Sequence, residues 1–411
     1  MPTQIDFDFA KTAENACEQI TRLIKTFGPR APGSSAEWNA QQDMAEQLKA
    51  VTDDVRTEEF TVHRQAFMGF IPFTVALTMT AAILFWLGFS WIGLLLVAAA
   101  AVPLVLEFAM YRQFIDKLFK GYPSHNVIAT RKSASDIPKK RIYLVGHADS
   151  QYEWTLNYKF GGVGMKLVLI PAVVGLVVCF CANLLHVILF RVAGIAFDGW
   201  LEVLMRTAGV ALFALFPCDI GFLFFQSRKR SVPGANDNLS GCYVAISVMQ
   251  ALAETNTRFV GTEVVALLTG SEEAGLRGAK AFVKRHKAAL LDSSVETAAI
   301  GLDTFRDLDD IAIYNRDLSG TVRHSPAMQD LMKRAGEKRG IALPSASIYI
   351  GACDAVAFTQ AGIQATGFAA MDPTPPRYYH TRLDDADMLV PETIRIASEI
   401  TMEAVKLFAE S

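Results

Sequence analysis

The chain has 411 residues, with 39 Lys and Arg against 42 Asp and Glu and a formal charge of -3 at pH 7, so charge recruits neither a polyanion nor a strongly acidic partner and nucleic acid is not an expected ligand. Hydrophobic residues make up 51% of it and mean hydropathy is +0.26, high for a soluble protein, with the excess gathered into a few runs suited to lipid. The six cysteines, Cys17, Cys179, Cys181, Cys218, Cys242 and Cys353, form no C-x-x-C pair and read as packing residues in a reducing compartment.

The N-terminal stretch MPTQIDFDFAKTAENACEQ has early acids and no apolar core, so no signal peptide is expected. From Lys11 to about Val51 the pattern is helical, with Ile20, Leu23, Ile24, Met44 and Leu48 at helical spacings on either side of a GPRAPGSS break. No charge falls between Gln65 and Leu106, a span of 42 positions that holds two membrane-crossing helices with a break at Gly88-Phe-Ser-Trp91. Two strand-like runs follow, His125–Thr130 and Arg141–Gly146. A third uncharged run covers Leu167–Phe190, and a fourth, Val203–Gln226, is interrupted by Arg206 and Asp219.

After Arg228-Lys-Arg230, strands alternate with amphipathic helices: GTEVVALLTG, AKAFVKRHKAALL, ETAAIGLDTF. That alternation predicts a three-layer α/β domain. The domain is expected to be discontinuous, over 1–66, 112–160 and 228–411, with transmembrane hairpins at 67–111 and 161–227. Arg64, Arg112, Lys117, Lys120, Lys159, Lys166 and Arg228 to Arg230 flank the domain ends of the apolar helices, whereas the far loops offer Arg191 against Asp198 and Glu202. The positive-inside rule then places the domain on the cytoplasmic side of an inner or cytoplasmic membrane crossed several times. Asp219 inside a span pairs with a cation, lines a wet cavity or sits near the interface.

His147-Ala-Asp149 follows the strand RIYLVG, so its side chains project from a strand's C-terminal end, where open α/β sheets bind ligands. Gly234-Ala-Asn-Asp237-Asn-Leu-Ser-Gly241 is a loop of mostly small residues opening a helix over Cys242–Glu254, and Asp237 taken alone fits a helix N-cap. Gly270-Ser-Glu272-Glu273-Ala-Gly275 sets adjacent carboxylates at a strand-to-helix turn, a costly pairing unless a cation or a function holds them. Gly301-Leu-Asp303 ends another apolar strand, and Tyr378-Tyr-His380-Thr lies in a Pro-rich loop. His147, Asp237, Glu273, Asp303 and His380 together form an imidazole and carboxylate set suited to zinc, with one carboxylate left to bridge two ions; cobalt and manganese fit the same ligands.

The order and wording of these motifs resemble the M28 family of metallopeptidases, from Glu14 to about Leu407 outside the two apolar insertions. The resemblance takes in Asn126-Val-Ile-Ala129 and Gly351-Ala-Cys-Asp354-Ala-Val-Ala-Phe358 followed by Ala361-Gly-Ile363. It implies a three-layer αβα zinc-peptidase domain with a mostly parallel mixed sheet, here interrupted by about four transmembrane helices. It further implies two zinc ions per chain, one held by His147, Asp303 and Asp237 and the other by Glu273, His380 and the shared Asp237. Glu272 would be the general base and Asp149 the carboxylate that orients His147. Ala355 stands where many relatives carry His, and the hairpins are foreign to the ordinary family domain.

The activity most commonly implied by the resemblance is that of an aminopeptidase acting on free N-termini of peptides. A carboxypeptidase or dipeptidase, a glutaminyl-cyclase-like enzyme with a single zinc and a metal-free membrane scaffold are the alternatives; the intact Glu272-Glu273 pair argues against the scaffold. Tyr378, Tyr379, Arg377 and Arg382, beside the last ligand, are candidate substrate contacts. Peptides and the lipid bilayer are the expected partners, and the hairpins are suited to positioning the site near a membrane, gating it or mediating homo-oligomer formation.

Overall fold

The computed structural model describes residues 7–196, 198–348 and 351–411, so the first six residues of the stretch read as lacking a signal peptide lie outside it. The chain divides into two compact units, one made of the chain up to Arg64, Lys120–Glu153 and Lys229–Ser411, the other of Gln65–Phe119 and Trp154–Arg228. The second unit takes in more chain than hydropathy marks. Residues flanking the apolar helices pack with them: the rings of Tyr111 and Phe67 lie 4.8 Å apart, as do those of Trp154 and Phe225.

The strands in chain order are β1 (Asp54–Val62), β2 (Tyr122–Arg131), β3 (Lys140–His147), β4 (Tyr152–Trp154), β5 (Gln226–Ser231), β6 (Thr262–Thr269), β7 (Glu296–Phe305), β8 (Ile311–Asp317), β9 (Val322–Arg323), β10 (Ser345–Ser347) and β11 (Gln364–Ala370). Nine of them form one sheet in the order β1-β2-β6-β3-β7-β11-β8-β10, with β9 on β8. Its centre, β6-β3-β7-β11, is parallel, and β2 and β8 join that centre antiparallel. Central strands read as unbroken apolar runs because both faces are covered. Ile142 and Leu144 of β3 and Ala298, Ile300 and Leu302 of β7 enter one core, while Tyr143, Val145 and Ala299 enter the other.

Helices α1 (Phe9–Phe27) and α2 (Ser35–Lys49), with Gly241–Glu254, Pro326–Lys338 and Pro391–Glu410, cover the first core; Arg277–Leu290 and Ala355–Gln360 cover the second. In α1, Phe9, Ala13, Ala16, Ile20 and Leu23 recur at helical spacing and are buried. Each large aliphatic group so placed contributes about 1.5–3 kcal/mol. Ser34 caps α2 by accepting from the Glu37 N–H, while the Glu37 carboxylate accepts from the Gly33 N–H.

Among the described residues, the second unit contains four helical stretches long and apolar enough to cross a membrane by length and composition: Ala66–Trp86, Ser90–Ala109, Thr155–Val192 and Gly199–Phe222. Its packed centre includes Ala81, Ala82, Ala100, Phe85, Val97, Leu176 and Cys179. Large apolar side chains point outward instead, with Phe73 67%, Leu95 63%, Leu167 69% and Trp200 72% exposed. A bundle folded against water would bury these groups.

Gly278, in the first turn of Arg277–Leu290, lies against the chain leaving β6: a Cβ there would stand 2.2 Å from the Gly270 carbonyl oxygen and 2.6 Å from Asn126 Oδ1. Gly278→Ala should therefore destabilise the protein by about 1–3 kcal/mol, the usual cost of overpacking, measured by chemical denaturation in detergent. Unchanged stability would mean that this helix is free to shift.

Candidate active site

Because β6, β3 and β7 are parallel, their C-terminal ends deliver four of the predicted residues to one edge of the sheet. His147 is the last residue of β3, Glu272 and Glu273 lie in a 3-10 turn just after β6, and Asp303 is near the end of β7. Asp237 comes from the loop before Gly241–Glu254, and His380 from the loop after β11. His147 Nε2 lies 3.3 Å from Asp237 Oδ1 and 3.8 Å from Glu272 Oε2; His380 Nε2 lies 2.9 Å from Asp237 Oδ2 and 3.3 Å from Glu273 Oε1. The ligand atoms of His147, Asp237 and Asp303 fall within 4.8 Å of one another, as do those of Asp237, Glu273 and His380, so one carboxylate belongs to both groups.

Asp237 is not a helix cap. Residue Ser240 precedes the helix, and the Asp237 carboxylate faces the two histidines instead. Its backbone N–H donates to Asp384 Oδ2 at 3.0 Å, and Asp384 Oδ1 accepts from both the backbone and the side chain of Asn236. Asn238 ties the same loop to the end of β7: its Nδ2 donates to the Leu302 carbonyl, and its Oδ1 accepts from the Thr304 and Gly241 N–H groups.

Asp149 lies 3.4 Å from His147 Nδ1, and its hydrogen bonds go to the acidic turn: Oδ1 accepts from the Glu272 N–H and Oδ2 from the Glu273 N–H, each at 3.0 Å. One carboxylate thus steadies an imidazole and both acids. Beneath the turn, buried Glu37 accepts from the N–H of Ser271, a residue with φ 53°, at 2.7 Å. The Cys242 thiol donates to the His147 carbonyl, so this cysteine does more than pack.

Two of the four candidate substrate contacts are committed elsewhere. Tyr378 donates its hydroxyl to Asp307 Oδ2 at 2.6 Å, and Arg382 grips Glu153 through two hydrogen bonds of 2.6 and 2.7 Å. Arg377 is exposed. Tyr379 stacks on the His380 ring, with centroids 3.8 Å apart; burial, then the charges of Asp237 and Glu273, push its phenol pKa upward. Beside Ala355, buried Asp354 accepts from the Thr269 hydroxyl at 2.5 Å. A further set, Asp317, His324 and Cys353, is knit by its own hydrogen bonds, with the Cys353 thiol and the His324 ring both against Asp317 Oδ2.

The cleft carries too much negative charge to be stable alone. Burial, followed by the charges of Glu273, Asp354 and Asp303, raises Glu272 well above the usual carboxylate range despite nearby His147, and burial takes Asp303 to about 7. Burial would lower His380, yet Glu273 and Asp237 raise it to about 10. The site therefore draws in protons wherever no other cation is held. Asp237 Oδ2 and Glu273 Oε1 are buried without a hydrogen bond of good geometry. Imidazole nitrogens and carboxylate oxygens in this arrangement fit zinc or a similar divalent ion.

The model of peptidase family M28 matches residues 223–405, which include Asp237, Glu272, Glu273, Asp303 and His380 and leave out His147 and Asp149, N-terminal to the match. No curated protein sequence matches the chain. Among solved structures, a zinc aminopeptidase from Bacillus subtilis aligns with a TM-score of 0.56 at 16% identity over 98% of this chain and 96% of its own. An aminopeptidase from Aneurinibacillus sp. strain AM-1 gives 0.55 at 16% over 97% and 94%. A glutaminyl cyclase from Bacteroides thetaiotaomicron, bound to N-acetylhistamine, gives 0.56 at 13% over 99% of each. The fold is thus that of the zinc aminopeptidases and their relatives. The match to the M28 model over residues 223–405, within this fold, supports a metal-dependent hydrolase.

Sequence reasoning missed Arg30, Glu37, Asn238 and Asp384, which touch the motifs from outside. The signals were faint: a lone arginine in the GPRAPGSS break, and an acid four residues beyond His380. Asp149→Asn would leave one of the two turn N–H groups facing an amide donor. It should cost about 1.5–3 kcal/mol and speed hydrogen exchange at the Glu272 and Glu273 amides, read by exchange mass spectrometry. Unaltered exchange there would deny Asp149 its hold on the turn.

Proposed function

We propose that this chain is an integral membrane exopeptidase that removes residues from the free N-termini of peptides at a site holding two zinc ions. The observation that carries the reading is the sharing of Asp237 between two imidazole and carboxylate groups, with Glu272 beside them. His147, Asp303 and Asp237 would hold one ion, and Glu273, His380 and Asp237 the other. Zinc there supplies a Lewis acid for the attacking water and the scissile carbonyl. Glu272, a buried carboxylate whose Oε2 lies 3.8 Å from His147 Nε2, would accept the proton from water and pass it to the leaving nitrogen as the C–N bond breaks. Asp149 keeps Glu272 within reach by holding its backbone.

A peptide mixture with free and acetylated N-termini tests this. Stepwise loss from free ends, abolished by a chelator and reduced about 10²–10⁴-fold in Glu272→Gln, is the expected outcome by mass spectrometry. The glutaminyl cyclases among the fold neighbours support a second reading, cyclising acyl transfer with one zinc. Zinc content near one per chain and no peptide shortening would favour it.

The membrane reading is supported by the four long apolar helices and the outward-facing Phe73, Leu95, Leu167 and Trp200. Basic residues from Arg64 to Lys120 and at Arg228 to Arg230 favour a cytoplasmic peptidase unit. The protein should resist alkaline carbonate extraction, and added protease should cut the peptidase unit in inverted but not right-side-out vesicles. Release by carbonate would end the reading of an integral protein, and the opposite protection pattern that of its orientation.

A further inference from the structure

Arg30 lies in the Gly-Pro loop between α1 and α2 and is 0% exposed. Burial pulls its pKa down to about 10, against the upward pull of Cys242, Asp149, Asp384 and Asp237, so it stays charged at neutral pH. Its donors meet backbone carbonyls: Nε donates to Ala148 at 2.7 Å, Nη1 to Pro233 at 2.7 Å and Nη2 to Gly234 at 2.8 Å. Ala148 lies between His147 and Asp149, while Pro233 and Gly234 open the loop that delivers Asp237. The backbone reinforces the tie. The Arg30 N–H donates to Ser150 Oγ, the Ser150 N–H donates back to the Arg30 carbonyl, and the Ser150 hydroxyl donates to the Val232 carbonyl. Gly234 has φ +64°, and a Cβ there would stand 2.6 Å from Ser150 Cβ and 3.0 Å from Arg30 Nη2, so this loop lies directly on the guanidinium.

We propose that Arg30 is a positioning residue for the metal centre, its planar fork fixing the spacing between the His147 turn and the Asp237 loop and hence between two ligands of one ion. The inference rests on the metal-site reading above. A guanidinium suits the task because it directs several donors in a fixed plane, whereas a lysine ammonium keeps the charge on a flexible stem without that geometry. Groups supporting metal ligands from behind typically govern 10- to 100-fold in affinity.

The test is zinc affinity of the full chain in detergent, by competition with a chromogenic chelator, for wild type, Arg30→Lys, Ser150→Ala and Arg131→Lys, with thermal unfolding of each in the metal-free state. Arg131 is also buried and donates to the Thr257 and Val51 carbonyls, so it controls for the loss of a structural arginine. Arg30→Lys should bind zinc about 10–100-fold more weakly, Ser150→Ala should weaken in the same direction, and Arg131→Lys should lose stability with unchanged affinity. Wild-type affinity in Arg30→Lys, or an equal loss in Arg131→Lys, overturns the proposal. Should Arg30→Lys fail to fold, unchanged affinity in Ser150→Ala does the same. Absence of zinc binding by wild type overturns the underlying metal reading instead.

Discussion

The carboxylates of Asp237, Glu272, Glu273, Asp303 and Asp354 crowd around two imidazoles at the buried end of a parallel sheet, and much of the surrounding structure opposes their repulsion. Two like charges 4 Å apart cost about 4 kcal/mol even at an effective dielectric of 20. Backbone N–H groups are turned toward the supporting acids Asp149 and Asp384, and these acids in turn fix the loops that carry Glu272, Glu273 and Asp237. The support is itself acidic, so it adds order without neutralising the cleft. A bound cation, or protons taken up in its place, would offset the charge, and the geometry leaves carboxylate oxygens directed to where a cation would sit.

Placement of these groups follows from strand direction. β6, β3 and β7 are neighbours and parallel, so residues remote in sequence finish at one edge, each at the last positions of its strand. The helices crossing between the strands bury both faces of the sheet, which leaves its C-terminal edge as the place where polar groups gather. The second unit takes its chain from between β1 and β2 and from between β4 and β5, and the central order β6-β3-β7-β11 is built from the first unit alone. In the second unit Phe85, Val97, Leu176 and Leu212 pack inside with alanines while Phe73, Leu95, Leu167 and Trp200 face outward, so apolar groups line both its centre and its surface.

Local chemistry made part of this protein legible from its residues alone. The uncharged runs had the length of membrane-crossing helices, β3, β6 and β7 announced themselves as apolar runs, and His147, Glu272-Glu273 and Asp303 stood at their ends, because strand periodicity and hydropathy are properties of neighbours along the chain. Tertiary structure alone decided how those ends combine. It brought Asp237, which the family resemblance had implied as the shared ligand and which its local sequence left as a plausible helix cap, against both histidines, withdrew Tyr378 and Arg382 into pairs with Asp307 and Glu153, and brought Arg30 onto Gly234 across 204 positions. Such contacts depend on which strands lie side by side and on which buried donors find acceptors, and no residue carries that information in its near neighbours.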